Sequence, residues 1–324
     1  MLQDLALESA STIEVHKRQN ERIWKHMPPC MQACFSDPSI IEIMVNPDGK
    51  LLVDDLQSGI RQIGTIDRFN AESLIKVVAS VMGASITEAS PIFEGEFNDG
   101  SRFSAAIPPV VSAPIISIRR RALQIFSLDD YVAQGVMTIQ QRAIVAQWVL
   151  ERKNILVVGG TSSGKTTLIN AVIAEIAQVS PQHRLIVLED TVELQCQAEN
   201  VIQMKSSREV PLQALVKTTL RHRPDRILVG EVRGPEAFDL LTAWSTGHPG
   251  GVASLHANSA QGAFLRLEQL LEVATQSPMR SLIAEAVDAI VYIEKTATGR
   301  QVKELLTVDG YHNHQYQTQR IETE

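Results

Sequence analysis

Gly159-Gly160-Thr161-Ser162-Ser163-Gly164-Lys165-Thr166 is the stretch that decides the fold. Its spacing is G-x-x-x-x-G-K-[ST], that of a phosphate-binding loop. Ile155-Leu156-Val157-Val158 before it reads as a buried strand, and Thr167-Leu168-Ile169-Asn170-Ala171-Val172-Ile173 after it opens a helix. Glycines let the backbone wrap close to phosphate, successive N–H groups point inward, and the helix N-terminus adds positive dipole. Lys165 is expected to reach the β and γ phosphates and the Thr166 hydroxyl to hold Mg²⁺, with Gly159 to Gly164 and Thr167 completing the cradle. A chance Lys in a Gly-rich turn would not have every fixed position and both flanks in place.

Around this loop the pattern alternates. Helices are expected at about 138–152, 165–178, 211–222, 235–246, 259–273 and 278–289, and strands at 154–158, 184–188, 226–229 and 252–255. Pro211 and Pro235 sit where a missing N–H costs nothing, and Gly247 follows a helix end. Strands alternating with helices imply a parallel α/β sheet, whose ligands gather at the carboxyl ends of the strands.

Two acids stand at such ends. Leu185-Ile186-Val187-Leu188 runs into Glu189-Asp190, and Ile227-Leu228-Val229-Gly230 runs into Glu231. One carboxylate can support a metal while the other orients or deprotonates water. A single acid there could as well cap the next helix; two beside a phosphate loop favour the catalytic reading. His256 ends another short strand and is a candidate γ-phosphate sensor, whereas His248 precedes that strand. Arg221, His222, Arg223 and Arg233 crowd the same region, and Arg102 and Arg119-Arg120-Arg121 lie in the first half; arginine suits bidentate phosphate contact.

The first half reads differently. Residues 4–34 look helical. Residues 40–45 and 51–53 are strands around the turn Asn46-Pro47-Asp48-Gly49-Lys50, residues 69–83 form a helix, and 102–107 and 115–119 are strand-like. We therefore expect an amino-terminal α+β domain over 1–128 and a P-loop α/β domain over 129–324, within the size of two domains for 324 residues. His26, Cys30 and Cys34 share a helical face but lack the closed four-ligand set of a metal site.

Composition narrows the function. With 44% apolar and 21% charged residues the chain is not disordered. A net charge of −7 and 5% aromatics speak against a nucleic-acid coat or a stacking groove. The apolar stretch 105–118 is broken by Pro108, Pro109 and Pro114, the start lacks a basic signal region, and three cysteines make no disulfide framework. A cytosolic protein is expected, with peripheral docking on a membrane partner compatible with this.

Four blocks in order, Gly159 to Thr166, Leu188 to Leu194, Val229 to Gly234, and Thr246-Gly247-His248 through His256-Ala257-Asn258, resemble the Walker A, Asp, Walker B and His boxes of the secretion traffic ATPases. That superfamily serves type II secretion, type IV pili and type IV secretion. Phe103 to Pro109 followed by Ile115 to Arg121 looks most like its conjugation branch, TrbB-type, and no cysteine after Cys196 is available for the four-cysteine module of the pilus and type II branches. The resemblance implies a RecA-like ATPase domain with a smaller amino-terminal domain, ATP between the two, and a homo-hexameric ring. The motor would act on inner-membrane components of a secretion or conjugation apparatus. By the same resemblance Glu189 is general base or water positioner, Glu231 supports Mg²⁺, His256 contacts γ-phosphate, and Arg102 or one of Arg119, Arg120 and Arg121 reaches the nucleotide. A RecA-like helicase and a non-hydrolysing ATP switch are the rival readings. The acidic, aromatic-poor chain speaks against direct nucleic-acid binding, and the two glutamates speak against the switch.

Overall fold

The structure is a computed structural model. It describes residues 18–19, 21–55, 58–121, 125–207, 209–275, 279–297 and 299–322. Residues 4–17 and 20 of the expected leading helix lie outside the described residues, as do 122–124 at the expected boundary and Pro278 at the start of the last expected helix. The chain divides into two compact units between Gln124 and Ile125. Leu128 and Tyr131 are buried in a core cluster of the second unit, so the segment just before residue 129 belongs to that unit.

The first unit is built on β1 (Ile40–Val45), β2 (Lys50–Asp55), β3 (Gly59–Thr65), β4 (Ile92–Glu96), β5 (Arg102–Ala106) and β6 (Ile115–Arg119). They form one sheet in the order β3-β2-β1-β6-β5-β4, with every neighbouring pair antiparallel. The helix Arg68–Val81 starts where the Asp67 carboxylate accepts the Asn70 N–H at 3.0 Å. Its Leu74, Ile75 and Val78 join Ile43, Val53 and Ile118 in one core cluster. β3 and β4 escape the sequence reading because they are the sheet edges, where Ile60 and Ile92 face solvent and apolar alternation fades. The expected helix to residue 34 is interrupted. Pro28 and Pro29 lack N–H donors, so a turn at 25–26 separates the helical residues 21–24 from the short helix Pro29–Cys34.

The second unit contains β7 (Ile155–Gly159), β8 (Leu185–Glu189), β9 (Val201–Lys205), β10 (Arg226–Val229), β11 (Val252–His256), β12 (Ala289–Thr296), β13 (Gly299–His312) and β14 (Gln315–Ile321). The order is β14-β13-β12-β7-β11-β10-β8-β9. From β9 to β12 all pairs are parallel, and β13 and β14 extend the sheet as antiparallel strands. β7, β8 and β10 are buried at every residue, and period-2 alternation sorts their side chains to two faces. Leu156, Val158, Ile186, Leu188, Ile227 and Val229 pack with the helices Leu212–Thr219, Glu236–Ser245, Gly262–Ala274 and Arg280–Ala286. Ile155, Val157, Leu185, Val187 and Leu228 pack with Leu128–Ala133, Ile139–Leu150 and Lys165–Val179. The expected parallel α/β core is present. The last expected helix stops at Ala286 and gives way to β12, so residue 289 is strand.

Candidate active site

Parallel pairing sets the stage: His256 is the register partner of Gly159, so the end of β11 lies level with the start of the phosphate loop. The loop itself is held open by backbone geometry. Ser162 (φ 57°) and Gly164 (φ 100°) adopt left-handed conformations, which turn successive N–H groups inward. A side chain at Gly159 would collide with the Ile293 carbonyl of β12, so close backbone approach requires glycine there. Lys165 begins the helix Lys165–Val179 and is buried. Its Nζ donates to the carbonyls of Gly159 at 3.0 Å and Gly160 at 2.9 Å, and lies 3.4 Å from His256 Nε2. Gly160, Thr161, Ser163, Thr166 and Thr167 complete the turn and the helix start.

The two acidic strand ends converge. Glu189 ends β8 and is 3% exposed. Its Oε1 accepts the N–H groups of Glu193 at 2.8 Å and Leu194 at 2.7 Å, so the loop after β8 folds back and orients the carboxylate. A Cβ at Gly230 would sit 3.1 Å from Glu189 Cγ, so the Gly preceding Glu231 gives that side chain its room. Glu231 Oε1 lies 3.0 Å from His256 Nε2, at ion-pair distance but without hydrogen-bond alignment. Its Oε2 is paired with Arg233. Burial, then the Lys165 charge, push the His256 pKa below the ordinary imidazole value, against the opposing pull of Glu231. The turn carrying Glu231 is fixed by Glu236 Oε1, which accepts the N–H groups of Arg233 and Gly234, each at 2.7 Å.

Thr166 Oγ1 donates to Glu193 Oε2 at 3.1 Å. Glu193 is the residue that sequence reasoning missed. It stands inside the quoted Leu188 to Leu194 block, yet it lies in a loop without periodicity, and only the fold-back onto the helix start brings it to Thr166. Asn170 Oδ1, which accepts the Gln195 N–H at 2.8 Å, fastens the same loop. Hard cations take oxygen ligands, and Mg²⁺ keeps water and phosphate in its shell rather than an all-protein cage. The Thr166 hydroxyl with the neighbouring Glu193 carboxylate fits that donor chemistry. Among the described residues no group of three His, Cys, Asp or Glu side chains is placed to hold a metal by itself. That includes His26, Cys30 and Cys34: His26 Nδ1 lies 3.0 Å from the Arg22 carbonyl, and the buried Cys34 thiol donates to the Cys30 carbonyl at 3.2 Å.

Other candidates lie elsewhere. His248 Nδ1 is 3.2 Å from the Pro224 carbonyl in the segment entering β10, at the amino ends of the strands. In the first unit Arg119 is exposed at the end of β6 and is the cross-strand partner of Arg102. Arg120 points the other way. It is buried, its guanidinium donates to the carbonyls of Cys34, Phe35, Asp37 and Ile40, and it lies 5.6 Å from the centre of the Phe35 ring. The expectation that Arg120 reaches a nucleotide thus meets an arginine occupied inside its own unit.

The family model for the Type II/IV secretion system protein matches residues 61–315. A probable conjugal transfer protein TrbB of Sinorhizobium fredii is 45% identical over 303 residues, covering 93% of each chain. The conjugal transfer protein TrbB of Rhizobium radiobacter is 44% identical over 305 residues, covering 94% of each. Among solved structures, the ATPase DotB of Yersinia pseudotuberculosis superposes with a TM-score of 0.63 at 19% identity, over 84% of this chain and 76% of that one, so the fold is an amino-terminal domain joined to a RecA-like ATPase domain. By the family match and the TrbB likeness over nearly its whole length, this chain belongs to the Type II/IV secretion system protein family of secretion ATPases.

Proposed function

We propose that this protein is an ATP-hydrolysing motor of a type IV secretion or conjugal transfer apparatus, powering pilus assembly, substrate export or both by nucleotide-driven domain motion. One observation carries the reading: Lys165, Thr166, Glu189, Glu231 and His256 meet at one carboxyl edge of a parallel sheet, around a loop whose amides form an anion nest.

Each residue has a task there. Lys165 exchanges the Gly159 and Gly160 carbonyls for β and γ phosphate oxygens. Glu189, oriented by the amides of Glu193 and Leu194, positions a water and takes its proton as the water oxygen bonds to the γ-phosphorus and the bridge to the β-phosphate breaks. His256, between Lys165 and Glu231, registers whether the γ-phosphate is present. Thr166 would hold Mg²⁺ directly and Glu231 through water; the bound ion would neutralise phosphate charge. Arg119, exposed where Arg120 is not, is the first-unit arginine we assign to the nucleotide.

The same reading carries a homo-hexameric ring with ATP between the two domains, and inner-membrane components as partners. It places the protein in the cytoplasm, peripheral at the membrane; no helix among the described residues is long and apolar enough to cross one. Direct nucleic-acid contact is not part of the activity.

The test is ATP turnover by the wild type, alone and with its membrane partners. Lys165→Ala and Glu189→Gln are each expected to lower turnover at least about 100-fold, with Glu189→Gln still retaining ATP. Wild-type protein without turnover under both conditions would sink the motor. A large, salt-sensitive stimulation by single-stranded DNA would replace it with a nucleic-acid motor. Mass in solution with a non-hydrolysable ATP analogue is expected to report six copies.

A further inference from the structure

Past the end of β7 the sheet continues upward on one side. Tyr292 of β12 is the register partner of Val158, so Ile293 stands level with the start of the loop and residues 294–296 project beyond it. β13 returns antiparallel, with Arg300 opposite Lys295. The Arg300 side chain then lies across the phosphate loop. A Cβ at Gly164 would sit 2.8 Å from Arg300 Cδ and 3.3 Å from its Nε. The missing side chain of Gly164 is the space this arginine occupies.

The Arg300 Nε is buried without a hydrogen-bond partner. The Arg300 charge stands over Gly164, the N-cap of the helix begun by Lys165, whose N-terminus is itself positive. Tyr131 also senses this charge: burial drives its hydroxyl pKa far above the usual range, and Arg300 pulls it back. An anion seated at this helix N-terminus would meet the guanidinium and the helix dipole together. The strand that carries it is firmly seated, since Val302 N–H donates to the Val136 carbonyl at 2.8 Å and Gln141 Nε2 to the Val302 carbonyl at 3.2 Å. The arginine is therefore presented on a fixed element rather than a loose loop.

We propose that Arg300 is a phosphate-binding residue of the nucleotide site, supplied from the same unit by the β12–β13 hairpin. This rests on the nucleotide reading above and adds to it a second cation, facing the Gly164 side of the loop. The phosphates, rather than the base, are its target because the side chain lies on the glycine that precedes Lys165.

The experiment measures binding of ADP and of inorganic pyrophosphate to the wild type, Arg300→Gln and Arg300→Lys, with ligand-free melting temperature as a control. For Arg300→Gln both ligands are expected to weaken by about 10- to 100-fold, as for loss of a charge-assisted hydrogen bond, at an unchanged melting temperature. Weakened ADP with unchanged pyrophosphate overturns the phosphate contact, and unchanged affinity for both overturns any ligand contact. If Arg300→Gln fails to fold, Arg300→Lys decides: it keeps the charge but loses the guanidinium fork, so pyrophosphate should weaken several-fold, and equal affinity overturns the proposal. A wild type that binds neither ligand removes the nucleotide reading itself, and this inference with it.

Discussion

The two ends of the parallel strands in the second unit both bury positive charge, and they do so differently. At the amino end Arg226 is fully buried at the start of β10. Its guanidinium donates to the carbonyls of Val149 at 3.0 Å and Gly250 at 3.2 Å, to Ser180 Oγ at 3.3 Å and to His183 Nδ1 at 3.1 Å. Burial, helped by nearby Arg152, lowers its pKa to about 10. These partners come from three separate segments, so Arg226 ties a helix end and two loops together. At the carboxyl end Lys165 leans on two carbonyls of its own loop, and Glu231 is shared between Arg233 and His256. Those partners are side chains or loop carbonyls that a phosphate can displace. Buried charge tied to several segments at once builds the fold. Buried charge met by exchangeable partners builds a site.

That contrast is sharpened first by paired substitutions. Arg226→Met leaves several buried acceptors unsatisfied and is expected to cost about 2–5 kcal/mol of stability, seen as a lower denaturant midpoint, while the folded fraction still binds nucleotide. Lys165→Met should do the reverse, losing nucleotide affinity at equal or greater stability. If both variants lost stability alike, or Arg226→Met lost only affinity, the division between the two ends would be wrong.

A smaller effect is expected at Gly164. Gly135 (φ 69°) has open space where a side chain would stand, so Gly135→Ala bears the left-handed backbone cost alone, about 1–2 kcal/mol. Gly164→Ala adds displacement of Arg300 and should weaken nucleotide binding beyond that, measured by melting temperature and calorimetry side by side. Equal effects would mean that Arg300 moves aside at no cost.

The smallest effect is the pH dependence of the ligand-free protein. The unfolded imidazole, near 6.5, takes a proton before the folded His256, whose pKa burial and then Lys165 depress. The stability contributed by neutral His256 is present above pH 6.5 and is lost as pH falls below it. His183 acts in the same direction, through burial and then Arg226. His256→Gln should therefore flatten the acid limb slightly. With the His256 side chain 44% exposed, the difference should stay below about 1 kcal/mol, read from denaturant midpoints across pH. A steeper limb in the variant would reverse the assigned sign.

How legible these features were follows from how local they are. Lys165 and Thr166 could be read because eight consecutive residues make the loop. Glu189 and Glu231 could be read because an acid closing a fully apolar run marks the carboxyl end of a buried strand. Arg119 and Arg120 could not be told apart by residue type: adjacent residues leaving a strand end face opposite ways, and one is exposed while the other fills the carbonyls around Phe35. β3 and β4 were hidden because sheet edges need no regular apolar alternation.

The chain's own order of residues was enough to determine a phosphate loop, a parallel α/β core and two carboxylates at strand ends, since each depends on short-range spacing and burial pattern. Tertiary structure decided that Glu193 meets Thr166, that His256 stands between Lys165 and Glu231, and that Arg300 lies on Gly164. Strand register and chain crossovers bring those groups together across long separations, and no local periodicity records that pairing.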